Sequence, residues 1–127
     1  EEILTRTAME GAARMGERLG RGYRDVVSDR KVEGHVQYRG ISGTLGLGPA
    51  PVVDWRSFLD IDVGRWWGYY TAMMNRGIVP MATGPDEQWT LSVQHTAEDV
   101  DAHLATFDEV ARLLPTLRAD VHLVESV

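Results

Sequence analysis

The sequence has no cysteine and a single lysine, Lys31. The first absence excludes disulfides, thiolate nucleophiles and cysteine-ligated metal, and suits a cytoplasmic protein. The second leaves little amine chemistry. Lys31 stands in the charged stretch Asp29-Arg30-Lys31 ahead of a strand pattern, where solvation is expected. No apolar run approaches the roughly 18 residues of a membrane span. The start, Glu1-Glu2-Ile3-Leu4, has neither the basic nor the apolar region of a signal peptide. A helical pattern already runs at Leu4, which fits a natural N-terminus or a cut inside a longer chain. The net charge of −6 argues against a nucleic-acid partner, because phosphate binding needs clustered cations. The arginines are spread along the chain, mostly on the first helical stretch, and read as a solvated face.

What is present fits one domain with one core: 127 residues, 43% of them hydrophobic. Leu4, Ala8, Ala12, Met15, Leu19, Tyr23 and Val26 recur at steps of three and four, predicting an amphipathic helix over about Ile3–Ser28. Its glycines, Gly11, Gly16, Gly20 and Gly22, predict either close packing against another element or fraying near Gly20. Val32–Arg39 and Ile41–Leu47 alternate with period two around Arg39-Gly40, predicting an antiparallel pair or a bulged strand. Val52–Ile61 reads as a loop with at most a short strand. Asp62 caps a second helix to about Arg76, stopped by Gly77, with Val63, Trp66, Trp67, Tyr70, Met73 and Met74 as its apolar face.

Gly77 to Thr96 organises the rest. Ile78–Pro80 reads as a short edge strand, Met81–Asp86 as a loop and Trp89–Gln94 as an alternating strand. Thr96 then caps a third helix with Glu98 and Asp99 in its first turn and Val100, Leu104, Phe107, Ala111 and Leu114 as its stripe, ended by Pro115. Residues 1–115 form the domain and 116–127 a tail that docks as an extended segment or stays loose. Helix, strand pair, helix, strand pair, helix is the order of an α+β, two-layer sandwich: a small antiparallel sheet with helices packed on one face.

Catalytic signatures are sparse. The four histidines, His35, His95, His103 and His122, show no i, i+4 zinc spacing and no His-Glu-x-x-His motif. His95, at a strand-to-helix junction, suits a bond to the backbone, and periodicity places His103 on the exposed side of the last helix. No Gly-x-Ser-x-Gly elbow is present. Asp86 and Glu87 are adjacent at a strand start, so the pleat points them apart and they make no acid–base pair. Glu87 alone can project into a site across a domain boundary, or simply be solvated in a turn.

Arg76-Gly77-Ile78-Val79-Pro80, followed by Glu87, Ser92, His95-Thr96 and Glu98-Asp99, resembles the C-terminal small domain of class III pyridoxal-phosphate-dependent aminotransferases, the glutamate-1-semialdehyde aminomutase branch in particular. Upstream, Gly43-Thr44-Leu45-Gly46-Leu47 resembles that family's glycine-containing strand. The resemblance covers the chain to about Pro115. The family's aromatic before the Glu is Asp86 here, and the one three residues after it is Thr90. Many class III aminotransferases place an arginine in this strand to bind a substrate carboxylate. The register puts Trp89 there, which favours the aminomutase-like branch over the 2-oxoglutarate-dependent one.

The resemblance implies a substrate-facing small domain whose binding residues are Glu87 and Trp89, with no catalytic, cofactor-binding or metal residue of its own. The Schiff-base lysine, phosphate cup and pyridoxal phosphate would belong to a separate large domain or subunit. The substrate would be small and amino-acid-like. Exposed apolar surface on the first two helices would meet the large domain, in a homodimer or hetero-oligomer, and the isolated chain would be inactive. The alternative is a non-catalytic dimerisation or regulatory module derived from that domain.

Overall fold

A computed structural model describes residues 3–81 and 83–120. Helix α1 (Arg6–Asp29) is capped by the Thr5 side chain, which accepts the Ala8 N–H. It is continuous through its glycines, of which Gly16, Gly20 and Gly22 serve close packing. A side chain at Gly16 would collide with the Gly40 carbonyl, and one at Gly20 with the Tyr38 ring. The two glycines let the helix lie directly on the hairpin of β1 (His35–Arg39) and β2 (Ser42–Gly46), where Arg39 pairs with Ser42. Gly40 takes the first of two turn positions with φ +58°, a conformation that disfavours any residue with a Cβ.

The Val52–Ile61 stretch corrects the loop expectation. It contains a short helix, α2 (Trp55–Phe58), fixed by a reciprocal capping box between Asp54 and Ser57. Helix α3 (Val63–Met74) starts at the Asp62 cap, and Gly77, at φ +84°, closes the chain after it. The Gly77 and Ile78 N–H groups donate to the Met74 and Met73 carbonyls, a Schellman arrangement. The expected strand at Ile78–Pro80 does not form; this segment runs beside α4 without a ladder partner. Strand β3 is only Trp89–Thr90, paired antiparallel with β2, because the chain turns at Ser92–His95 instead of continuing to Gln94. Helix α4 (Ala97–Leu113) opens on a second capping box, Thr96 with Asp99.

The sheet order is β1-β2-β3, with the inner face on α1 and with α4 against α1 and α3. Trp66, Tyr23, Tyr69, Phe107, Leu19, Leu45 and Met73 are fully buried in the core between them. Arg18 of α1 and Arg30, its C-terminal cap, form exposed ion pairs with α4: Arg18 with Asp101 at 2.6–3.0 Å and Arg30 with Asp108 at 2.7–2.9 Å. Beyond Pro115, the Ala119 N–H donates to the Gly64 carbonyl at 2.9 Å and Arg118 meets Asp62 at 2.9 Å, so residues 117–119 dock on α3. The expected alternation at Val121, Leu123 and Val127, and His122, lie outside the described residues.

Candidate functional site

The outer face of the sheet, turned away from α1, carries Gln37, Thr44 and Gly46. Val52, Phe58 and Ile61 of the α2 region stand at one side of it and the Pro85–Gln88 turn at the other, enclosing a recess of about 140 Å³. The turn is held by its backbone. The Glu87 N–H donates to the Gly84 carbonyl at 3.1 Å, and the Thr44 hydroxyl donates to the Glu87 carbonyl at 3.1 Å. The Gln37 amide donates to the Val52 carbonyl at 3.0 Å on the other wall. The Glu87 backbone is therefore fixed while its side chain is exposed, a carboxylate able to accept hydrogen bonds from an ammonium or hydroxyl group. Asp86 lines the same recess. Residues 85–87 form a turn and not a strand, so the pleat argument that separated these two carboxylates does not apply.

Trp89 is a core residue. It is 3% exposed, stacked on Tyr23 at a centroid distance of 4.9 Å, and its buried indole N–H finds no partner among the described residues. The ring is turned into the core, and Trp89 lines the groove beside α4 together with Gln88, Leu91 and His103. Alternation turns Trp89 and Leu91 inward, so their neighbours Gln88 and Thr90 face outward, with Ser42 and Thr90 hydroxyls 3.3 Å apart. Gln88 and Thr44 are the recess residues that sequence reasoning missed. The inward apolar pair at 89 and 91 was the available signal for Gln88.

A larger groove, about 380 Å³ at one end, runs along the start of α4 past Ile78, Val79, His95, Asp99 and His103. Several of its polar groups are bonded internally, while the Gln94 side-chain amide and His95 Nε2 make no hydrogen bond among the described residues. His95 Nδ1 accepts the Ser92 N–H at 3.0 Å, the structural role expected of it. The Asp99 carboxylate accepts the Thr96 N–H at 2.8 Å, and these capping bonds hold it below the usual carboxylate range. His103 is not on an exposed face as periodicity suggested. Its Nε2 lies 2.6 Å from the Tyr23 hydroxyl, itself 2.6 Å from that of Tyr69. Burial pushes His103 down to about 4, with repulsion from His95 adding to it, and raises both tyrosines. An unprotonated Nε2 accepting from Tyr23, which accepts from Tyr69, satisfies all three. Asp99 and His103 are thus committed to the fold, and the recess is the site that holds the exposed Glu87 carboxylate.

Lys31 sits at the α1–β1 connection, in a depression with Arg30, Glu33 and Arg65 and away from the recess. Among the described residues no three His, Asp or Glu side chains come together as metal ligands, and no helix is long and apolar enough to cross a membrane.

No family model matches the chain. Sequence and fold nevertheless converge on one class, the small domain of class III aminotransferases. Within it the curated match is to glutamate-1-semialdehyde 2,1-aminomutase. The protein of that name from Symbiobacterium thermophilum is 33% identical over 88 residues, 67% of this chain and 20% of its own length. An omega-transaminase from Sphaerobacter thermophilus superposes with a TM-score of 0.73 at 23% identity, over 88% of this chain and 25% of that one. A glutamate-1-semialdehyde aminomutase from Pseudomonas aeruginosa, in complex with PMP, gives 0.73 at 17% identity over 86% of this chain and 24% of that one. The chain spans about a fifth of the length of the curated relatives it matches.

Proposed function

We propose that this chain is the substrate-facing small domain of a pyridoxal-phosphate-dependent aminotransferase or aminomutase acting on an amino-acid-like substrate. The observation that carries the reading is the sequence match to one aminomutase fifth, joined to a free carboxylate at Glu87 on a rigidly held turn. When bound, pyridoxal phosphate supplies an electron sink for chemistry at the amino-bearing carbon. The residues described here do not fit it unaided, because the only lysine, Lys31, lies away from the recess. A separate large domain therefore holds the cofactor. The part played by this chain is to cover the site, exclude water and present Glu87 to the amino end of the substrate. Gln88 and Thr44 border the same recess, and Trp89 supports it from the core side.

The test is native mass spectrometry on the protein from its own source, with a visible spectrum of the same sample. Recovery with a larger, yellow, lysine-bearing segment, continuous with this chain or separate from it, supports the reading. A colourless homo-oligomer of this chain alone overturns it in favour of a dimerisation or regulatory module.

A further inference from the structure

Helix α2 is a single turn, too short to persist on its own strength. It is nonetheless held by a dense set of bonds. The Ser57 N–H donates to Asp54 Oδ1 at 2.8 Å, and Ser57 Oγ accepts from the Val53 and Asp54 N–H groups at 2.9 and 3.0 Å. These bonds hold the Asp54 carboxyl below its usual range. Phe58 faces the recess and stacks on Trp55 at 5.2 Å, which fixes the indole from behind. Trp55 is still 69% exposed, flanked by Val53 at 82% and Leu59 at 55%. Trp66 and Trp89, in contrast, are at 0% and 3%. An exposed aromatic on a pre-ordered scaffold loses little entropy on binding and is the usual anchor of an interface.

The surroundings define the occupant. Asp54 and Asp60 flank α2, and Asp86 and Glu87 line the adjoining recess, all exposed, with Arg56 the one cation on α2. A second copy would set this acidic rim against itself across a two-fold axis. The complementary surface is an apolar pocket for the indole with lysines or arginines around it. The patch is also continuous with the Glu87 recess through Val52 and Phe58. Four fifths of each matched relative lies outside the match. On the first two long helices the exposed large apolar side chains are Met9 of α1, with Ile3 and Leu4 ahead of it, and Met74 of α3, none of them an aromatic.

We infer that the α2 face, anchored by Trp55 with Val53 and Leu59, is where the cofactor-bearing large domain seats, through an apolar pocket rimmed by cations. This rests on the small-domain reading above.

Hydroxyl-radical footprinting with mass spectrometry tests it, comparing the native protein from its source with this chain expressed alone. Trp55 is expected to be protected at least fivefold in the native protein, with Trp66 and Trp89 equally unreactive in both. In Trp55→Ser, Leu59 is expected to lose its protection while the circular dichroism of the chain alone is unchanged. Equal reactivity of Trp55 in a native protein that does contain the large domain overturns the docking face and leaves the small-domain reading standing. Protection of Trp55 in a homodimer lacking any large domain overturns the chosen partner and the small-domain reading together. A lone monomer does the same.

Discussion

At the scale of single residues, Glu87 and Trp89 separate into two kinds. Glu87 has a pinned backbone and a free carboxylate, so its side chain is open to the recess and adds little to the fold. Trp89 has the opposite balance, stacked on Tyr23 and sealed from solvent. In the complete enzyme Glu87→Gln is expected to lower turnover roughly tenfold to a hundredfold, the effect of losing about 1.5–3 kcal/mol of charge-assisted hydrogen bonding. Steady-state kinetics with the cofactor absorbance recorded alongside checks this: the absorbance should stay, and wild-type turnover would remove Glu87 from the mechanism. Trp89→Ala should act on stability, costing about 3–5 kcal/mol through the cavity it leaves. Urea denaturation of the chain alone measures that loss, and a variant as stable as wild type would show that the ring is not core.

Among the elements, α1 shows what its glycines are for. At Gly16 the colliding atoms are Gly40 backbone, which cannot rotate away, so Gly16→Ala should destabilise by about 1–3 kcal/mol or more. At Gly11 a Cβ meets only the Arg14 guanidinium at ordinary contact distance, so Gly11→Ala should stabilise by about 0.5–1 kcal/mol through helix propensity. Thermal denaturation of the two variants side by side is decisive, since a general glycine effect would move both the same way. The elements legible in the sequence were those with local signals: the α1 stripe, the hairpin at Gly40, the caps at Asp62 and Thr96, and the stop at Gly77. Helix α2 was overlooked although Asp54 and Ser57 carry its capping-box spacing, because one turn offers no hydrophobic period to read. Ile78–Pro80 and Val93–Gln94 looked like strands because composition cannot say whether a ladder partner exists. Glu87 stands out as a lone carboxylate at a strand start, and the family resemblance is what points to it as a binding residue. That Thr44 would hold it, and that Gln88 would border it, depends on where β2 lies relative to the turn, which is set by tertiary packing.

For the whole molecule, Tyr23 is the point where the layers meet. It belongs to α1, stacks on Trp89 of β3 and, at 4.2 Å, on Phe107 of α4, and bonds Tyr69 of α3 and His103 of α4. The helical period alone does not reveal that His103 turns inward, because that depends on the Tyr23 hydroxyl that meets its Nε2. This arrangement ties global stability to pH. His103 in the folded chain binds its proton only near pH 4, against an ordinary value of 6.5. As pH falls below 6.5 the unfolded chain takes up this proton first, so stability is lost between pH 6.5 and 4 and levels off for this group below that. The 2.5-unit gap corresponds to about 3 kcal/mol as an order of magnitude. The capping and paired carboxylates Asp54, Asp99 and Asp108 have lowered values, so their contribution persists to more acid conditions and is lost below about 3.8. The two windows are therefore separable. Urea denaturation at intervals from pH 7.5 to about 2.5 should show the wild-type free energy falling through the histidine window, and His103→Gln should flatten that slope while leaving the loss below pH 4 in place. Parallel slopes for the two proteins would mean that His103 is as accessible to protons in the folded chain as in the unfolded one, and that the Tyr69–Tyr23–His103 chain does not join the layers as described.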